Sequence, residues 1–316
     1  MRTASHLVPQ ALDGDRRALA RLISLVEDSG ADARTALATL YPHTGQAHII
    51  GVTGASGSGK STLVNELAKA LRAQDTTVGI VAVDPSSPFT GGAMLGDRVR
   101  MHDLAGDPGV FIRSMATRGS LGGLARATGD VVKVLDAAGF AVVMVETVGA
   151  GQSEVDIART AHTTIVVEAP GMGDEVQALK AGLLEIADVL VVNKADRPGA
   201  ANTARALEMA INRNARAEEG ESVWRPPILQ TVALDGTGVP EVLEATVAHR
   251  EHLRASGLWA RREQTRVETE LFNVLRQELL DRVLARVGEE QMRAWVARIA
   301  LREVDVYTVV EAVVGE

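Results

Sequence analysis

Eight consecutive residues, Gly54-Ala55-Ser56-Gly57-Ser58-Gly59-Lys60-Ser61, fit the spacing G-x-x-x-x-G-K-S. They follow an apolar run and open a helical one. In that setting the glycines let the backbone curl until its N–H groups face phosphate oxygens, and the helix N-terminus adds the positive end of its dipole. Lys60 is then placed to reach β- and γ-phosphates. The Ser61 hydroxyl, with Thr62 beside it, is placed to meet Mg²⁺. A plain Gly-rich strand–helix turn is the alternative, and the complete motif in this context favours phosphate.

A second tetrapeptide decides between bases. Asn193-Lys194-Ala195-Asp196 ends the apolar run ADVLVVN. A carboxylate at Asp196 can accept two parallel hydrogen bonds, from N1–H and the exocyclic amine of guanine. Adenine offers an acceptor at N1 and no amine at C2, so it would leave that carboxylate unpaired, and mismatches of this kind discriminate strongly. Alone the tetrapeptide is weak evidence. Downstream of a phosphate loop in the same sheet, it points to guanine. The backbone near Ala233 and Leu234, after the last apolar run, is placed to complete the base pocket.

Acidic residues at strand ends supply the expected metal ligands. Asp84 follows VGIVAV and Glu146 follows AVVMV, and carboxylates there can hold Mg²⁺ directly or through water. Glu146-Thr147-Val148-Gly149 has the acidic-x-x-Gly form in which the Gly149 N–H can reach a γ-phosphate. That contact distinguishes the triphosphate from the diphosphate. Asp97 follows a Gly-rich stretch suited to a nucleotide switch, while Arg98 and Arg100 read equally as a solvated helix face. Gln152 lies three residues after Gly149 rather than directly after it, so no water-orienting role is assigned to it. No arginine finger is evident, and slow turnover without a partner is expected. Of the seven scattered histidines, His249 and His252 share a helix face. Without a third ligand they read as a surface pair rather than a metal site.

The elements that must position these residues follow from the pattern. Strands are predicted at 47–53, 78–83, 110–113, 141–146, 163–168, 187–193 and 228–232. Several are apolar almost throughout, as when helices cover both faces. Helical runs lie between them, which predicts a three-layer α/β sandwich on a mostly parallel sheet across 47–250. Residues 1–46 read as a helical extension in which Asp13-Gly14-Asp15 signals a start. Leu19, Leu22, Ile23 and Val26 then fall on one face, and residues 41–45 form a linker. From 251 to 316 the chain reads as a helical arm with a stripe of Val267, Leu271, Val274, Leu275 and Leu279.

Composition removes other classes. Asp and Glu total 41 against 33 Lys and Arg, a net charge of −8, and aromatics are 3%. Both weigh against nucleic-acid binding by phosphate neutralisation or base stacking. With no cysteine in 316 residues, thiolate metal sites, disulfides and cysteine nucleophiles are excluded. No run is long enough to predict a transmembrane helix, and the first residues lack a signal peptide's apolar stretch. A bacterial cytoplasmic protein is the expectation.

Taken together the motifs resemble the MeaB/ArgK/MMAA-type P-loop GTPases of the metallochaperone group. The resemblance spans nearly the whole chain. Its marks are Val83-Asp84-Pro85-Ser86-Ser87, Gly91-Gly92 through Leu95-Gly96-Asp97-Arg98-Val99-Arg100-Met101, and Arg118-Gly119-Ser120-Leu121-Gly122-Gly123. To these are added Glu146 to Ser153, Val192 to Asp196, and Trp224-Arg225-Pro226-Pro227. It implies the P-loop NTPase fold with a helical N-terminal extension and a C-terminal arm used for homodimerisation. It also implies hydrolysis of GTP to GDP in the service of an adenosylcobalamin-dependent acyl-CoA mutase, methylmalonyl-CoA mutase above all, in cofactor loading, protection and reactivation. A cobalamin adenosyltransferase is a further implied partner. Position by position, Lys60 and Ser61 match the family's phosphate-loop residues. Asp84, Asp97 and Glu146 match its Mg²⁺ and catalytic switch carboxylates, and Asn193, Lys194 and Asp196 its guanine selector. An additional switch falls on 170–180, with Asp174 and Lys180 as its residues of interest and Lys180 counted with the catalytic set. The C-terminal part carries no motif to match residue by residue. Three alternatives compete: a GTPase for nickel or zinc enzyme maturation, for which the chain lacks a soft-ligand cluster; an ATP-using kinase or transport-accessory ATPase, against which Asp196 argues; and a structural, nucleotide-bound scaffold without turnover.

Overall fold

A computed structural model describes residues 4–28, 30–84, 102–104, 106–116, 123–147, 153–171, 181–215 and 224–315. Asp97, Gly149, Gln152, Asp174 and Lys180 lie outside the described residues, and of Asp84 the strand position alone is described.

Seven strands form one sheet: β1 His48–Thr53, β2 Val78–Asp84, β3 Val110–Ala116, β4 Val142–Glu146, β5 Thr163–Glu168, β6 Val189–Asn193 and β7 Ile228–Thr231. Their order is β3-β2-β4-β1-β5-β6-β7, and every pairing is parallel. The sheet expected to be mostly parallel is wholly so among the described residues. β1, β4, β5 and β6 are buried at every position, which is why their sequences are continuously apolar rather than alternating.

The alternation reappears as a division between two cores. Val142 and Met144 of β4 face one layer, and Val143 and Val145 face the other. On the first face, α4 (Lys60–Arg72) brings Leu63, Val64 and Leu67 to the strands, joined by Val239 and Val242. The latter belong to a helix at Val239–Ala255. On the second face lie helices at Gly123–Ala137 and Ser153–Thr160. The Ser153–Thr160 helix approaches β1 closely: a Cβ on Gly51 would stand 2.6 Å from Ile157 Cγ1. Glycine is required there by contact, not by backbone angle.

Helices α1 Ala4–Leu12, α2 Arg16–Glu27 and α3 Ala31–Leu40 pack on one another and over the 123–137 helix. Leu19, Leu22, Ile23 and Val26 are buried on the predicted face of α2. Asp15 caps that helix, accepting from Arg17 N at 2.8 Å and Ala18 N at 3.1 Å. An ion pair of Glu27 with Arg113 ties α2 to β3, and Arg16 donates to Val110 O at 2.5 Å. The 41–45 linker is firmly held at its exit. Asp136 accepts the amides of Gly45 (2.6 Å), Gln46 (3.1 Å) and Ala47 (2.8 Å). A carboxylate holding three N–H groups in this way fixes the entry to β1.

Contacts divide the chain into two compact units, Met1–Glu263 and Gln264–Glu316. One helix, Leu258–Val287, carries the chain from the first into the second. Within the second unit the predicted stripe is uncovered: Leu271 is 62% exposed and Leu279 53%. No residue of the 258–287 helix or of the next, Glu289–Ala300, is fully buried. None of the described helices is long and apolar enough to cross a membrane.

Candidate nucleotide-binding site

The winding of the sheet reverses at β1, and at such switch points the C-terminal strand ends open a crevice. The phosphate loop fills it, running from Thr53 to the first turn of α4. Two glycines are needed for the loop's path. Gly54 has φ +131°, and a Cβ there would meet Val167 O at 2.0 Å. Gly59 has φ +95°, and its Cβ would meet Asn193 Nδ2 at 2.2 Å. An L side chain at either position is excluded by both angle and space.

The loop is held from the base-selector side. Asn193, buried at the end of β6, donates from Nδ2 to Ser58 O at 2.9 Å. Its Oδ1 accepts from Thr231 Oγ1 at 3.0 Å and from Ala233 N at 3.1 Å. Lys194 donates to Gly57 O at 2.6 Å and adopts φ 58°. A non-glycine residue in the left-handed region is held there at a cost of order 1 kcal/mol, a strain characteristic of functional turns. Asp196 is exposed one turn further on. Leu234 is 87% exposed beside buried Ala233. Ala233 engages Asn193 through its amide, while the Leu234 side chain lies at the surface.

Lys60 is buried at the mouth of the loop. Its ammonium donates to Gly54 O at 2.8 Å and Ala55 O at 2.9 Å. Ser61 Oγ donates to Glu146 Oε1 at 2.5 Å, which brings together two residues 85 apart in sequence. Glu146 is buried at the end of β4. In register the next strand of the sheet, β2, ends at Asp84 two residues beyond the level of Glu146, since Ala82 pairs with Glu146. A further acidic strand end is Glu168, buried at the end of β5 next to Val167, whose carbonyl lies against Gly54. It carries the signal that singled out Asp84 and Glu146, a carboxylate closing an apolar strand. A hydroxyl already paired with a carboxylate at the start of α4 suits an octahedral cation that takes one or two protein oxygens, so the donor set fits Mg²⁺. The carbonyl-bound ammonium and the curled amides suit a polyphosphate.

These features agree with what known proteins show. The family described as methylmalonyl Co-A mutase-associated GTPase MeaB matches residues 19–288. The chain belongs to the MeaB family. A protein of Pyrococcus horikoshii bearing the name of a GTPase is 47% identical over 320 residues, with 100% of both chains covered. The GTPase ArgK of Escherichia coli is 37% identical, over 90% of this chain and 87% of its own length. The mouse methylmalonic aciduria type A homolog, mitochondrial, is 32% identical over 73% of this chain and 56% of its own. Among solved structures, one titled LAO/AO transport system kinase superposes with a TM-score of 0.74 at 28% identity, covering 98% of this chain and 96% of that one. This MeaB-family chain is a GTPase with a P-loop fold.

At the opposite edge of the sheet the structure corrects the reading of the histidines. His249 is fully buried, not half of a surface pair with His252. Its Nδ1 lies 2.9 Å from Thr163 Oγ1, which also meets His48 Nε2 at 2.8 Å. Its Nε2 is 3.2 Å from Asp188 Oδ1. Asp188 also accepts from Thr164 N at 2.8 Å and from both terminal nitrogens of Arg262, at 2.8 and 3.0 Å. Burial alone would raise the Asp188 carboxyl. Hydrogen bonds from His249 and Arg262 outweigh that and hold it below the usual carboxylate range. Burial above all, with the Arg250 and Arg254 charges nearby, pushes His48 down to about 2, so its ring stays neutral. Among the described residues no group of three His, Asp or Glu is arranged to hold a metal ion.

Proposed function

We propose that this GTPase serves an adenosylcobalamin-dependent acyl-CoA mutase, methylmalonyl-CoA mutase or a close relative, in loading, protecting and reactivating its cofactor. The observation that carries the reading is the match of residues 19–288 to a family described as mutase-associated. The name of the mouse relative points the same way.

In this reading Lys60 leaves the carbonyls of Gly54 and Ala55 for the β- and γ-phosphates, and the amides of residues 54–62 cradle them. Asp196 takes the guanine edge, with Ala233 and Leu234 beside it. Ser61, Asp84, Asp97 and Glu146 are the residues for Mg²⁺, which when bound neutralises charge developing on the β- and γ-oxygens. The Gly149 amide senses the γ-phosphate, and Asp97, Glu146 and Lys180 complete the catalytic set. The exposed stripe of 267–279 is the homodimer face. A cobalamin adenosyltransferase is the second partner, and the bacterial cytoplasm the compartment. The kinase of the solved relative's title would need ATP, which the Asp196 carboxylate disfavours.

The test is GTP turnover by the full chain with Mg²⁺, alone and with a panel of purified adenosylcobalamin-dependent acyl-CoA mutases, with ATP in parallel. The expected result is a slow basal rate raised at least tenfold by one mutase, with ATP inert. A rate unmoved by every mutase overturns the client, and equal turnover of ATP overturns the base assignment.

A further inference from the structure

Three residues in the first turns of the helix Leu258–Val287 converge on His162, and one of them, Arg262, also holds Asp188. Positions 259, 262 and 263 fall on one helical face. All three meet His162: the Trp259 ring stacks on the imidazole with centroids 4.0 Å apart, Arg262 donates to His162 O at 2.6 Å, and Glu263 Oε1 lies 2.7 Å from His162 Nε2. The ring's other nitrogen is committed as well. His162 Nδ1 accepts the Ile49 amide at 3.0 Å, so the ring proton sits on Nε2 and points to Glu263. His162 N in turn donates to Ile49 O at 2.8 Å. The imidazole thus bridges the first turns of a helix and the first residues of β1, with no freedom to flip without losing one partner.

Two elements adjoin this residue. β1 runs from Ile49 directly into Gly54 of the phosphate loop. The helix Ser153–Thr160, which ends just before His162, begins seven residues after Glu146, the partner of Ser61. Ile157 of that helix packs closely on Gly51 of β1, so the helix and the strand are in direct contact. Such packed elements pass a displacement at one end to the other.

We propose that His162, through Trp259, Arg262 and Glu263, couples the nucleotide site to the helix that carries the chain out of the nucleotide-binding unit. The nucleotide bound sets how firmly residues 258–263 are held, and a change there alters the preference between GTP and GDP. The proposal rests on guanine-nucleotide binding alone, so a failed search for a mutase client leaves it untouched.

Hydrogen–deuterium exchange of the full chain, bound to GDP or to a non-hydrolysable GTP analogue with Mg²⁺, tests it. Exchange in peptides covering 258–272 should differ twofold or more between the two nucleotides. In His162→Asn, which keeps an acceptor for the Ile49 amide but cannot reach Glu263, that ratio should fall below twofold. Glu263→Ala leaves the ring and Ile49 in place and should do the same, which keeps the test open if the first variant folds poorly. Reciprocity requires that Glu263→Ala also change the ratio of analogue to GDP affinity by at least twofold, whereas a purely structural role would shift both affinities together. A wild-type exchange ratio below twofold overturns the proposal. So does a ratio that survives at twofold or more in Glu263→Ala, or an unchanged affinity ratio in that variant.

Discussion

At the C-terminal edge of the sheet, Lys60, Asn193 and Lys194 donate to the carbonyls of Gly54, Ala55, Ser58 and Gly57. At the N-terminal edge, Arg262, His249 and the Thr164 amide surround Asp188, and Glu263 faces His162. The first edge places two ammonium groups, Lys60 and Lys194, on neutral carbonyls, and a phosphate outcompetes these because it brings a full opposite charge. The second edge pairs the Arg262 guanidinium with the Asp188 carboxylate inside the chain. Whether the partner is a neutral carbonyl or a full charge is what separates a site built to receive a ligand from one built to hold the chain.

The comparison can be broken at either edge, and the largest effect belongs to the first. Lys60→Ala should lower GTP turnover by about a thousandfold, in the range for removing one charge-stabilising donor, with the far-ultraviolet circular dichroism unchanged. A variant within tenfold of wild type would mean that the ammonium is not where phosphate charge develops. Asp196→Asn removes an acceptor pair for guanine. About a hundredfold loss of GTP affinity with a gain for xanthosine triphosphate is expected by calorimetry, and unchanged affinity would remove the base-selector assignment.

At the second edge the effects should fall on stability. Asp188→Ala strands Arg262 beside His249 and should cost about 3 kcal/mol in urea unfolding at pH 7, the low end for a buried pair because the Arg262 side chain is 41% exposed. The sign with pH follows from the lowered carboxyl. The contribution is present above the ordinary Asp range and is lost as pH falls through the folded value, so wild type and variant should converge in acid. A gap that persists undiminished at pH 2 would show that charge is not its source. His48 gives a smaller effect in a different window. Held at about 2 against 6.5 in the unfolded chain, it opposes folding once the unfolded imidazole takes a proton. Stability should fall by about 1.6 kcal/mol between pH 6.5 and pH 5. His48→Gln should flatten that limb, and an equally steep limb in the variant would acquit His48.

The two edges also differ in how far the sequence betrays them. The phosphate loop and the selector tetrapeptide are each contiguous, so their spacing alone specifies the backbone path. The strands that carry them are legible because both faces are covered and the runs are apolar throughout. His48, His162 and Asp188 are single residues among many, separated by up to 140 positions, and only parallel register brings them together. A signal was nevertheless present. His48 opens β1, His162 immediately precedes β5 and Asp188 immediately precedes β6, so each occupies the same end of neighbouring parallel strands. The burial of His249 had no such signal, because its helix shows no sharp apolar face. The apolar stripe of 267–279 was legible as a pattern, yet it is uncovered within the chain, since periodicity tells which side is apolar and not what lies against it.

The grip of Asp136 on Gly45, Gln46 and Ala47 sets an order of events during synthesis. The carboxylate lies 91 residues downstream of the first amide that it holds. At about 5–20 residues per second, a ribosome delivers it roughly 5–20 seconds after Gly45. Until then Leu22 and Ile23 have no 123–137 helix to cover them, and the entry to β1 is unset. The amino-terminal helices therefore emerge first but settle late, and a nascent chain stalled before residue 137 should be more open to protease in its first 46 residues than one stalled beyond it.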